Sequence, residues 1–179
     1  MSRLKDKYNK QVIPAMKKKF GYTSDLAVPK IIKVTLNSGT GKALNDDKYL
    51  DRVVDTLTRI SGQKPVLTKA KISVSAFKVR EGNTVGVKVT LRGERMNNFV
   101  DKLVNVALAR VRDFQGLEKK SVGPDGNLSI GFKEHIVFPE IKSDEVEVIH
   151  GLEVAITTNA KTREEGLELL SLLGFPFKK

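Results

Sequence analysis

The chain has 179 residues, 40% apolar and 30% charged, and its 32 Lys and Arg against 21 Asp and Glu give a formal net charge of +11. That length supports one globular core, and the charge favours a polyanionic partner, nucleic acid foremost. With no cysteine there is no disulfide, thiolate nucleophile or Cys-based zinc site, and the start MSRLKDKYNK, with no later run near the ~18 apolar residues of a membrane span, points to a cytoplasmic protein free of membrane.

Residues 2–20 read as a densely basic helix in which Leu4, Tyr8 and Val12 form one apolar stripe, and Pro14 ends a first helical piece and opens a second. Its lysines suit a solvated face or an RNA backbone equally well. After a connection from Gly21 to Pro29, Ile32, Val34 and Leu36 alternate with Lys33, Thr35 and Asn37. Period-two alternation marks a strand with one buried and one open side. Ser38-Gly39-Thr40-Gly41-Lys42 then invites a phosphate-loop reading, but GxxxxGK[ST] would need Gly at 36 and Ser or Thr at 43, where the chain has Leu36 and Ala43. Asn45 or Asp46 caps the next helix, whose buried face is Leu50, Val53, Val54, Leu57 and Ile60, and Gly62 stops it.

Lys64 to Arg95 holds two strand-like runs around a basic loop that carries Lys71, Phe77, Lys78 and Arg80. In the second run Val85, Val87, Val89 and Leu91 alternate with Gly86, Lys88, Thr90 and Arg92, giving an apolar side and an open side. Within the loop, the alternation at Ser73-Val74-Ser75 leaves strand and irregular backbone both open. Met96, Phe99, Val100, Leu103, Val104, Ala107, Val111 and Phe114 mark the most regular helix, with Arg110 and Arg112 at its end. Residues 116–141 are rich in turns, with a turn at Gly123-Pro124-Asp125-Gly126 and a short strand over 127–132. His135 and His150, the only histidines, have no metal-ligand company and read as packing or surface residues. Leu152, Val154 and Ile156 form a last strand against Glu153, Ala155 and Thr157. Thr162-Arg163-Glu164-Glu165 is a capping box for a helix lined by Leu167, Leu170 and Leu173, in which Gly166 is a weak helix former. Gly174 ends that helix, and Phe175-Pro176-Phe177 tucks back onto the core.

This order predicts a single α+β domain over residues 1–179: a mostly antiparallel sheet with helices packed on one face and the other face open. No catalytic motif is complete, so no enzyme activity, cofactor or metal is expected. Lys33, Thr35, Asn37, Gln63, Lys88, Thr90, Arg92 and Thr157 could share the open face. Lys and Arg offer charge to phosphates, and Thr, Asn and Gln offer hydrogen bonds to 2′-hydroxyls or base edges. The face lacks stacking aromatics, which favours recognition of a folded RNA's shape over base stacking.

These residues resemble a known family, large-subunit ribosomal protein five of the bacterial type, which binds 5S ribosomal RNA. The resemblance runs along nearly the whole chain. It is carried by Val28-Pro29-Lys30-Ile31, Gly62-Gln63-Lys64-Pro65-Val66, Phe77-Lys78-Val79-Arg80-Glu81-Gly82, Lys88-Val89-Thr90-Leu91-Arg92-Gly93, Phe138-Pro139-Glu140-Ile141 and Leu173-Gly174-Phe175-Pro176-Phe177. It departs from the family's pattern at Thr40, Lys42, Asn97, residues 122–125 and His135.

The resemblance implies 5S ribosomal RNA on the sheet face at Asn37, Gln63 and Thr90, to which the alternation adds Lys33, Lys88 and Arg92. It implies that the loop from Lys71 to Val85 touches transfer RNA in the peptidyl site. It further implies that residues 136–145, with Ile136, Glu140, Lys142 and Asp144, face a small-subunit head protein across an intersubunit bridge. The protein would then be a monomer within the ribosome among other large-subunit components. The rival readings are a nucleotide-dependent enzyme using residues 38–42 and a general RNA chaperone.

Overall fold

The computed structural model describes residues 3–41, 47–142, 146 and 148–178. Five strands form a sheet in the order β2-β3-β1-β5-β4: β1 (Ile31–Gly39), β2 (Val66–Lys69), β3 (Thr84–Leu91), β4 (Leu128–Phe132) and β5 (Leu152–Thr158). β2 pairs antiparallel with β3, Val66 opposite Lys88 and Thr68 opposite Gly86, and the register shifts between Thr68 and Lys69. Bonds at the strand ends, Thr40 N to Val85 O and Asn159 N to Lys30 O, set β1 antiparallel to β3 and to β5. The helices are α1 (Arg3–Lys7), α2 (Ile13–Phe20), α3 (Asp47–Ser61), α4 (Gly93–Lys102) and α5 (Arg163–Leu173). The fold is thus α+β, as the order of elements predicts.

The chain gathers into two compact units. The first comprises Met1–Val34, Leu91–Ile130 and Ala155–Lys179. In it α1 and α2 are not separated by Pro14: a π-helical turn, Tyr8–Val12, joins them into continuous helix. Pro14 has no N–H for the carbonyl four residues back. The wider turn meets this by shifting the register, with Ile13 N–H bonding to Tyr8 O, so Pro14 sits in the first turn of α2, as expected, without the break expected before it. The expected stripe is present: Leu4, Val12 and Met16 are buried, and the Tyr8 hydroxyl donates to the carbonyls of Val28 (3.2 Å) or Pro29 (3.1 Å).

α4 runs into a π-helical turn, Leu103–Ala107, and a tight 3-10 turn, Leu108–Arg110. There the helix stops. Val111 is extended and Asp113 left-handed, so Val111, Arg112 and Phe114 lie beyond the helix that their spacing predicted. α5 begins as expected, with Thr162 Oγ1 accepting from Glu165 N at 3.3 Å, and ends at left-handed Gly174. The terminal Phe-Pro-Phe returns as expected: Phe175 is buried and Phe177 bridges to Leu117.

The second unit comprises Thr35–Thr90 and Gly131–Val154. Its core takes Leu36 from β1, Val87 and Val89 from β3, and Val53, Leu57 and Ile60 from α3. Asn45, Asp46 and Lys42 lie outside the described residues, so the expected cap of α3 does too. The apolar side of β1 differs in one place, since Ile32, in the first unit, is 41% exposed at the strand's start.

Candidate nucleic-acid interface

The alternation of β1 and β3 sets the second unit's polar side. Leu36, Val87 and Val89 point into the core, which leaves Asn37 and Thr90 half-buried and Lys88 exposed on the opposite side. Gly86 shares that side but is itself buried, contrary to its predicted openness. A Cβ at Gly86 would stand 2.8 Å from Thr68 Oγ1 and 3.8 Å from Asn37 Oδ1. The missing side chain lets the polar ends of Thr68 and Asn37 close over the strand.

Gln63 is placed by the end of α3. Ser61 Oγ lies 2.6 Å from Leu57 O and accepts from Gln63 N at 3.2 Å, while Gly62 takes the left-handed turn that releases the chain into β2. The Gln63 amide thereby reaches β3 and donates to Thr90 O at 3.4 Å. Asn37, Thr68, Lys88, Thr90 and Gln63 thus offer donors, acceptors and one full charge on one unit. Thr68 was not singled out from the sequence, because four residues of β2 are too few to reveal a side.

Lys33 and Arg92 belong to the first unit. Lys33 is half-buried on β1. Arg92 is exposed at the N-cap of α4, with extended backbone. Thr157 is half-buried on β5.

The loop after β2 is neither a continued strand nor free coil. Its base is closed by Ala70 N to Asn83 O (2.8 Å) and Gly82 N to Ala70 O (3.0 Å). Its tip is closed by mutual bonds between Val74 and Val79 around a 3-10 turn, Ser75–Phe77, with Lys78 left-handed at φ 53°. Glu81 N donates to Ser73 Oγ at 2.9 Å. Lys71, Phe77, Lys78 and Arg80 are all exposed, as are Ile72 and Val74, so the loop presents aliphatic as well as basic surface.

In the segment expected to face a protein, Ile136 and Glu140 are half-buried and Lys142 exposed, while Asp144 lies outside the described residues. Phe138 beneath them is fully buried against the edge of Phe132, ring centroids 5.7 Å apart. Sequence reading assigned the histidines separately. They form a buried stacked pair, centroids 3.9 Å apart and planes 7° from parallel, with His150 N donating to His135 Nδ1 at 3.3 Å. Burial pushes both imidazoles down in pKa, His150 to about 4, where the neighbouring His135 adds to the effect.

An α+β sheet with a polar side, a basic loop and a large positive charge defines an RNA-associated protein class. The comparisons agree and narrow it. A sequence model described as "Ribosomal protein L5" matches residues 24–80, and a second, describing the C-terminus of the same ribosomal protein family, matches residues 84–177. The large ribosomal subunit protein uL5 of Carboxydothermus hydrogenoformans is 54% identical over 179 residues, covering 100% of both chains. That of a Thermoanaerobacter species is 52% identical over the same span, and that of Lactococcus lactis subsp. cremoris 53% over 178 residues, 99% of both chains. The chain belongs to the ribosomal protein L5 family, the uL5 proteins of the large ribosomal subunit. It is therefore a ribosomal protein acting in translation and not an enzyme, and its bacterial relatives place it on the cytoplasmic ribosome.

Proposed function

We propose that this subunit protein holds 5S ribosomal RNA on the polar side formed by Asn37, Gln63, Lys88 and Thr90, with Lys33 and Arg92 contributing charge. The observation that carries the reading is the pinning of Gln63 against Thr90 beside exposed Lys88, a group of directed donors and acceptors with no core role. Backbone neutralisation supplies affinity, and the fixed array of Asn, Gln and Thr groups supplies selectivity for a folded shape. The exposed loop carrying Lys71, Phe77, Lys78 and Arg80 is assigned to peptidyl-site transfer RNA. Ile136, Glu140, Lys142 and Asp144 are assigned to a small-subunit head protein.

The test is competition binding of the full chain between 5S RNA and unrelated structured RNAs at matched salt. A strong 5S preference is expected, and Asn37→Ala with Thr90→Ala should weaken 5S binding by ~1–3 kcal/mol per site. Equal affinity for all RNAs would identify a general RNA chaperone instead. Wild-type affinity in the double variant would remove the sheet from the 5S site.

A further inference from the structure

The first unit carries a cleft of about 380 Å³ between its N-terminal helix and α4, apart from every residue assigned above. Both helices leave the α register where they border it. The turn Tyr8–Val12 delivers Lys10 and Gln11, and the turn Leu103–Ala107 delivers Val104 and Asn105. Such π turns are uncommon and concentrate at functional sites.

The lining sets ordered polar groups against an aliphatic wall. Two carboxylates, Asp6 and Asp101, face it together with the cations Arg3 and Lys10. Asn105 Nδ2 donates to both the carbonyl and Oδ1 of Asp101, each at 2.9 Å, which fixes that carboxylate with acceptor capacity remaining. Lys7 has a separate task, its ammonium bonding Leu173 O at 2.9 Å at the end of α5.

We propose that this cleft receives one unpaired guanine nucleotide of single-stranded RNA, its base edge on Asp101 and its phosphate beside Arg3 and Lys10. The volume suits a single nucleotide, within the range of small-ligand sites. Guanine alone among the four bases presents two adjacent donors, N1–H and N2–H, on its pairing edge, which is what a fixed carboxylate accepts. Unstacked RNA bases are read on that edge, and Val104 gives the ring an aliphatic wall. An arginine-bearing peptide would also satisfy two carboxylates. The nucleotide is favoured because Arg3 and Lys10 would repel such a peptide and because the chain belongs to a ribosomal protein family.

The test uses the isotope-labelled full chain and short oligouridylates with a central G, A, C or U, at matched salt. The G oligonucleotide should bind about tenfold more tightly than the others, the order of one good bidentate base contact. Amide shifts should centre on Lys10, Gln11, Val104 and Asn105. Asp101→Asn, which keeps shape and the Asn105 contact, should abolish the preference, so that the four oligonucleotides bind alike; Lys10→Gln should weaken all four while the G preference remains. The Asn37→Ala, Thr90→Ala double variant should keep the preference, so failure of the 5S assignment is separable. Equal binding of all four oligonucleotides, shifts confined to other surfaces, or cleft shifts produced by an arginine peptide but not by RNA would each overturn the proposal.

Discussion

Gly166 shows how one residue's role can reverse its propensity. On an exposed helix, Gly→Ala stabilises by about 1 kcal/mol. In α5, however, a Cβ at 166 would overlap the backbone of Gly126, and a Cβ at Gly126 would stand 2.7 Å from Ala160 Cβ. The two glycines let the turn after Gly123 lie directly on the helix, where Thr158 Oγ1 donates to Gly126 O at 3.0 Å and Asn127 Oδ1 accepts from Thr158 N at 2.9 Å. Gly166→Ala is therefore expected to destabilise by ~1–3 kcal/mol, the usual range of overpacking. A rise in the denaturation midpoint with unchanged slope would refute this. The sequence made Gly166 legible as a weak helix former and the turn at 123–126 legible as a turn. Their contact, 40 residues apart, leaves no trace in local periodicity.

At the level of elements, alternation revealed β1, β3 and β5 and the polar side of each, because a period of two reports one buried face wherever a strand is long enough. It did not reveal the side of β2. It also misjudged both helices that contain π turns, since hydrophobic spacing does not encode which carbonyl each N–H reaches. Pro14 marked the first turn of α2 correctly, but the break expected before it is bridged by the π turn, and Val111 and Phe114 continued a pattern after the helix itself had ended. The loop between β2 and β3 was legible as basic but not as a doubly closed hairpin. That closure gives it a fixed tip, with left-handed Lys78 between Phe77 and Val79. Lys78→Asn with Arg80→Gln removes two charges while Asn tolerates the left-handed backbone. Transfer RNA occupancy of the peptidyl site on reconstituted ribosomes should fall, with affinity for isolated 5S RNA unchanged. Loss of 5S affinity would merge the loop with the sheet site.

The molecule as a whole carries a net charge of +11 with both histidines neutral, and those histidines tie its stability to pH. His135 and His150 are stacked and buried, and Ser38 Oγ, at the end of β1, lies 3.3 Å from His150 Nδ1 and donates to Gly151 O at 2.8 Å. Burial lowers both pKa values, and the neighbouring His135 lowers that of His150 further. Glu134 and the backbone bonds of the pair push the other way without reversing the direction. In the unfolded chain each imidazole titrates near 6.5. Below that pH the unfolded state binds protons that the folded state refuses, so stability is full above about 6.5 and falls as the pH drops toward His150's folded value of about 4. The melting temperature should therefore decline between neutral pH and mildly acidic pH, before most carboxylates titrate. His150→Gln, which cannot ionise, should flatten that decline even where it lowers the melting temperature at neutral pH. A profile that is level through this window in the parent chain, or equally steep in the variant, would show that the stacked pair does not govern the acid response.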